Sequence, residues 1–167
     1  MVNDRWLTPA QLSAWKKLIA VAELLPGTLE SQLRRDADLS HFEYFTLAML
    51  SEAPERTLRM TALASLTNST LARLSHVVSR LESRGFVCRE PCALDRRATN
   101  AVLTSNGWAK VVATAPGHVV TVRQGVIDSL TTADVVDLDR IMGRILRALK
   151  ASNGSHQRGT VTERAAL

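Results

Sequence analysis

Long hydrophobic runs are missing from this chain. No stretch approaches the roughly twenty uninterrupted apolar residues that a membrane-spanning helix requires, so no membrane association is expected. The opening MVNDRWLTPAQ also lacks the basic-then-apolar layout of a secretory leader. Cysteine is scarce: Cys88 and Cys92 are the only two. That excludes a disulfide framework and makes a reducing, cytoplasmic location the expectation. Aromatic residues make up 4% of the chain, whereas 46% is hydrophobic, mostly Leu, Val and Ala, a balance that favours helices. At 167 residues the chain can bury a real core as one domain, or one domain with helical extensions.

Signatures of catalysis are missing too. There is no glycine-rich phosphate loop, no nucleophile elbow, and no Ser or Cys whose neighbours suggest activation. The four histidines, His41, His76, His118 and His156, are scattered and pair with no acid or Cys at ligand spacing. Neither an enzyme, a metal site nor a cofactor is expected.

What is present is positive charge, and its placement is uneven. Residues 55–110 hold nine Lys/Arg against four Asp/Glu, and the remaining chain holds twelve of each, so the whole net charge of +5 lies in the middle third. A basic centre between neutral flanks suits a polyanion-binding module in a neutral scaffold. A basic surface without function would spread the excess along the chain.

Local signals divide the sequence into helices and one hairpin. Thr8-Pro9 reads as an N-cap followed by Pro at the first helical position. Leu12, Trp15, Leu18, Ile19 and Ala22 then recur at helical spacing, and Pro26-Gly27 kinks or breaks the helix, which TLESQLRRDA is expected to continue. Ser40 caps a second helix that Pro54 ends, and RTLRM supplies a short strand. TALASLT forms a short helix, Asn68-Ser69 a turn, and TLARLSHVVSRLESR a second helix closed by Gly85. Residues 86–104 read as two strands joined by a loop from Pro91 to Arg97. From Thr104 or Ser105 a helix is expected to about Leu130, with a kink or interruption at Pro116-Gly117. Thr131 to Asp134 resembles a capping box that opens the last helix, with Val135, Leu138, Ile141, Met142, Ile145 and Leu149 on one stripe. Beyond Lys150 the tail has no periodicity and is expected to be disordered.

Helix, turn, helix and hairpin make a winged helix-turn-helix. On its second helix, Leu71, Leu74, Val77, Val78 and Leu81 form the apolar stripe. Arg73, His76 and Arg80 align on another face, near the small residues Ser69, Ala72, Ser75 and Ser79. Small side chains let a helix approach the DNA major groove, and arginine grips guanine edges or phosphates. An ordinary solvated helix face would look similar; position after a short helix and turn favours DNA. In the hairpin, Asp95-Arg96-Arg97 puts two arginines where no core can use them. A narrow minor groove, where the potential is most negative, can. Asp95 there would orient a guanidinium.

These residues resemble the MarR family of bacterial transcriptional regulators. The resemblance covers about residues 10–149 and is carried by Leu81-Glu82-Ser83-Arg84-Gly85, Asp95-Arg96-Arg97 and Leu103-Thr104-Ser105-Asn106-Gly107 in order. It implies a mostly α (α+β) fold and a symmetric homodimer interlocked through its first and last helices. Residues 1–38 and 105–150 would be dimerisation regions, 39–104 the winged helix-turn-helix, and 151–167 a disordered tail. It further implies sequence-specific binding of double-stranded DNA at a palindromic site, most often repression. The apolar stripe of the last helix, with Val119, Val122 and Val126 before it, fits dimerisation independently, because it exceeds what a small winged domain covers.

The resemblance also implies release by a small aromatic or phenolic effector bound between dimer helices and winged region. Trp15, His41, Tyr44, Phe45 and Trp108 are the candidate lining, although the aromatics also suit plain packing and His41 a solvated helix start. Two alternatives remain: a winged dimer that acts by protein contact, and a redox-responsive regulator. For the latter, Arg89 and Arg96 would have to lower the pKa of Cys88 or Cys92. Ordinary small hairpin residues are the plainer reading of both cysteines.

Overall fold

The computed structural model of the chain describes residues 6–92 and 95–163, with the side chains of residue 96 and of residues 153–163 outside that description. The chain divides into two compact units, Met1–Val122 and Arg123–Leu167.

In the first unit, α1 (Pro9–Ala37) opens on a complete capping box: Thr8 Oγ1 accepts from the Gln11 N–H at 3.3 Å, and Gln11 Oε1 accepts from the Thr8 N–H at 2.8 Å. The helix passes through Pro26 without ending. The proline removes one backbone donor. The hydroxyls of Thr28 and Ser31 bond back to the carbonyls of Leu24 and Gly27 in the same turns. Its N-terminal half is exposed, whereas Leu29, Gln32, Leu33 and Ala37 are buried. Asp38 ends it in the left-handed region, and Ser40 starts α2 (His41–Glu52) with a second capping box to Glu43.

A short turn leads into β1 (Thr57–Arg59), α3 (Met60–Leu66) and α4 (Leu71–Ser83). Gly85, at φ +73°, turns the chain out of α4 into β2 (Val87–Cys92), which pairs with β3 (Asp95–Leu103). The antiparallel sheet has the order β1-β3-β2. The strands reach further than the sequence suggests: Pro91 and Cys92 belong to β2 and Asp95–Arg97 to β3, not to a loop. β2 is an edge strand, where a proline without an N–H breaks no ladder on its open side.

α5 (Ser105–Gly125) also runs through its proline, Pro116, and stops short of Leu130. Its first turn lies tight against the chain leaving α4. A Cβ added to Gly107 would collide with the Phe86 carbonyl oxygen and come within 2.7 Å of Leu103 Cδ1. Leu33, Leu39, Leu47, Leu50, Leu63, Leu74, Val78 and Leu81 form the fully buried centre of this unit. Leu71, assigned to the same stripe by spacing, is instead 48% exposed, because it lies at the edge of that stripe in the first turn of α4.

In the second unit, Thr131 and Asp134 form the expected reciprocal cap of α6 (Thr132–Glu163). The helix continues past Lys150, where an unstructured tail was expected; residues 164–167 lie outside the described residues. Because a helix propagates at far lower cost than it nucleates, the strongly periodic part extends into a weaker sequence. Val136, Ile141, Leu146 and Leu149 are exposed along it. Among the described residues, no helix is long and apolar enough to cross a membrane.

Candidate nucleic-acid interface

The burial of Leu74, Val77, Val78 and Leu81 fixes the rotation of α4. The opposite face must then carry Ala72, His76, Ser79 and Ser83, all of them exposed. This ridge is low except at His76. Thr70 caps the helix, accepting from the Arg73 N–H at 3.2 Å.

Two arginines bound the ridge on the side of α2. The Arg73 guanidinium lies 4.4 Å from the centre of the Phe42 ring. Arg80 Nε donates to Glu43 Oε1 at 3.1 Å, while 61% of the Arg80 side chain stays exposed. Glu43 is itself buried, and its other oxygen accepts from the Ser40 N–H at 2.8 Å and the Ser40 hydroxyl at 2.9 Å. One carboxylate therefore both caps α2 and steadies a cation on the recognition helix. Burial pushes its pKa up, but the bonds from Ser40 and the charge of Arg80 outweigh this and leave it lowered.

The sign of the resulting pH dependence follows. A carboxylate with a lowered folded pKa contributes stability that is present above its unfolded value and lost as pH falls through its folded value. From about pH 5 downward, melting temperature should fall less steeply in Glu43→Gln than in the parent. Thermal melts across that range measure it, and parallel curves would show that Glu43 contributes nothing to acid sensitivity.

On the other side of α4 stands Arg89, from β2, which sequence reasoning considered only as a neighbour of cysteine. Arg89 Nη1 donates to Glu82 Oε2 at 2.8 Å, and Nη2 donates to the Ser75 carbonyl at 2.8 Å and the Ser79 hydroxyl at 3.0 Å. The Arg89 backbone N–H also donates to Glu82 Oε1 at 3.1 Å. The predicted residues Ser75 and Ser79 thus lie on the flank that is fastened to the wing. Ser69 lies in the turn, its hydroxyl 3.1 Å from that of Thr67.

In the wing, Asp95 does not pair with the Arg97 guanidinium among the described residues. Its Oδ1 accepts from the Arg97 backbone N–H at 3.1 Å, and its Oδ2 is 3.9 Å from Arg59 Nη1. The Arg97 side chain has no hydrogen bond or ion pair among the described residues and borders a cleft of about 270 Å³ with Arg59, Arg89, Leu71 and Ser75. The Arg96 side chain lies outside the described residues.

The candidate effector residues are only partly brought together. His41 stacks on Phe45, ring centres 6.3 Å apart, and Tyr44 packs on His118 at 4.6 Å. Trp108 lies beneath Arg56, 3.9 Å from the ring centre. Trp15 is half exposed on α1 and makes no ring contact with the others among the described residues. Burial raises the Tyr44 pKa and lowers that of His41. No cluster of three or more His, Cys, Asp or Glu suited to a metal occurs among the described residues.

Neither Cys88 nor Cys92 forms a disulfide. Burial and the charges of Glu90 and Glu82 raise the Cys88 pKa, because Arg89 turns its guanidinium toward α4. Among the described residues, Cys88 therefore lacks the electropositive setting of a reactive thiol. Cys92 is buried, with Arg59 Nη2 donating to its sulfur at 3.4 Å.

Residues 39–99 match the MarR family model. Over 86% of this chain and 94% of the other, the fold and sequence are similar to Sco3205, a MarR family transcriptional regulator from Streptomyces coelicolor solved in complex with DNA, at 44% identity and a TM-score of 0.83. The chain belongs to the MarR family. AbsC, a MarR family transcriptional regulator from Streptomyces coelicolor, is 37% identical over 88% of this chain and 99% of its own, with a TM-score of 0.83. The fold is also shared, at 18% identity and a TM-score of 0.69 over 78% of this chain and 90% of the other, with BpsR of Bordetella bronchiseptica, whose DNA binding is regulated by 6-hydroxynicotinic acid. No curated protein matches the chain. As a MarR family member, it is a DNA-binding transcriptional regulator with a winged helix-turn-helix and not an enzyme.

Proposed function

We propose that the chain is a homodimeric repressor that reads a palindromic operator through α4 and the wing, and that a small aromatic ligand relieves it. The observation that carries the reading is the face of α4. Its core side is fully committed, and its outer ridge of Ala72, His76, Ser79 and Ser83 is low enough to enter a major groove. Arg73 and Arg80 stand beside that ridge, where phosphates would lie, and Arg97, whose side chain has no hydrogen bond or ion pair among the described residues, adds a cation from the wing.

Homodimerisation is supported by apolar surface with no partner in a single chain. Trp15 and Leu24 on α1, Val119 on α5, and Ile141, Leu146 and Leu149 on α6 are each at least 40% exposed. Exposed apolar side chains on each unit taken by itself suit an interface, and a two-fold axis would set two recognition helices about one DNA turn apart. Ligand relief is supported by the regulation of BpsR and by the half-exposed rings of Trp15 and Trp108. Repression follows from placing such a dimer across a promoter.

Fluorescence anisotropy against duplex DNA from upstream of the chain's own gene, repeated over a salt series, tests the reading. Expected are a clear preference over scrambled duplex, steep weakening with salt, a dimer by sedimentation, and release by a panel of hydroxylated aromatic acids. Weak, equal binding to every duplex would sink operator recognition at that site and bring a protein-contact role forward.

A further inference from the structure

Arg89 turns its guanidinium onto α4. We propose that Arg89, on wing strand β2, is a positioning residue for sequence readout: it fastens the wing to α4 and, by filling one acceptor site of the Ser79 hydroxyl, biases that hydroxyl toward donating its proton to the groove.

The argument starts from the donors. A guanidinium carries only N–H donors and accepts nothing. Arg89 Nη2 is 3.0 Å from Ser79 Oγ and 2.8 Å from the Ser75 carbonyl, so both oxygens accept from it. A serine hydroxyl whose oxygen already accepts keeps its single proton to give elsewhere. Ser79 is exposed on the ridge, and its outward partners in a major groove are acceptors: N7 and O6 of guanine, N7 of adenine and O4 of thymine. A free serine serves donors and acceptors alike and discriminates poorly. Held by Arg89, with one of its two lone pairs occupied, it favours acceptors.

Glu82 holds the arginine in this pose. Its two oxygens take the Arg89 backbone N–H at 3.1 Å and Nη1 at 2.8 Å, which fixes the start and the end of the side chain together. Arg89 sits opposite Ala101 in the ladder, and Ala101 is fully buried, so the strand beneath the arginine is anchored in the core. One residue thus links core, wing and recognition helix. Only 25% of the Arg89 side chain is exposed, and its charge is met by Glu82, which leaves little of it for a phosphate.

This rests on α4 entering the major groove. The test uses the full chain and a labelled duplex that the parent protein enriches from a randomised pool, against a scrambled duplex, each across a salt series. In Arg89→Gln, preference for the enriched duplex should fall roughly tenfold or more, while the slope of log affinity against log salt stays as in the parent. Glu82→Gln should relax preference in the same direction. Ser79→Ala should relax it too, and adding Arg89→Gln to Ser79→Ala should cost little more. A slope reduced by about one with preference intact would make Arg89 a phosphate contact and overturn the proposal; so would unchanged preference in Arg89→Gln. If Arg89→Gln does not fold, Glu82→Gln and Ser79→Ala decide alone, and parent-like preference in both overturns it. Failure of the parent to enrich any duplex would instead remove the groove reading itself.

Discussion

Val78→Asp should abolish the folded winged region. Val78 is fully buried and packs among Leu74, Leu81, Leu47 and Leu63 in the centre of the core. An aspartate there either carries an unpaired charge into apolar surroundings or takes up a proton. Either route costs about 3–5 kcal/mol, a large part of the 5–15 kcal/mol that holds a typical domain together. Circular dichroism should show lost helix content and no cooperative melt. The comparison that gives this result its meaning is Ser83→Asp, on the exposed ridge of the same helix. It should melt close to the parent but bind DNA weakly, because its charge faces phosphates. A folded, DNA-binding Val78→Asp protein would mean that the faces of α4 are interchanged, and the assignments of His76, Ser79 and Arg80 would fall with it.

That pair of outcomes follows from periodicity, the part of this protein most legible in its sequence. Capping boxes are equally legible, because Thr8 with Gln11, Ser40 with Glu43, and Thr131 with Asp134 each close within three residues. Gly85 announces its left-handed turn in the same local way. Arg89 was not legible. Its partners Ser75, Ser79 and Glu82 lie on another element, and the sequence presents it only as one more cation beside a cysteine. Glu43 was half legible: its cap is local, but its hold on Arg80 spans thirty-seven residues. Of the prolines, Pro26 lies in a helix that continues through TLESQLRRDA as expected, and Pro116 also lies inside a continuous helix. Pro91, expected in a loop, instead lies within an edge strand whose open side needs no donor.

The wing arginines carry the other large effect. Arg97→Ala and Arg96→Ala should each weaken binding to the enriched duplex by roughly 1–3 kcal/mol, and the double variant by more than either. The reason lies in what Asp95 does. Its carboxylate accepts from the Arg97 backbone N–H and faces Arg59 across the sheet, so it shapes the hairpin without occupying the Arg97 guanidinium. A long cation in the wing whose side chain has no hydrogen bond or ion pair among the described residues suits the negative potential of a narrow minor groove. Because such a contact displaces counterions, each substitution should also reduce the salt slope by about one, the change that Arg89→Gln should not produce. Dimerisation, measured by sedimentation, should be untouched, since neither residue lies on α1, α5 or α6. Equal affinity in both single variants and in the double would remove the wing from the interface and leave recognition to α4 alone.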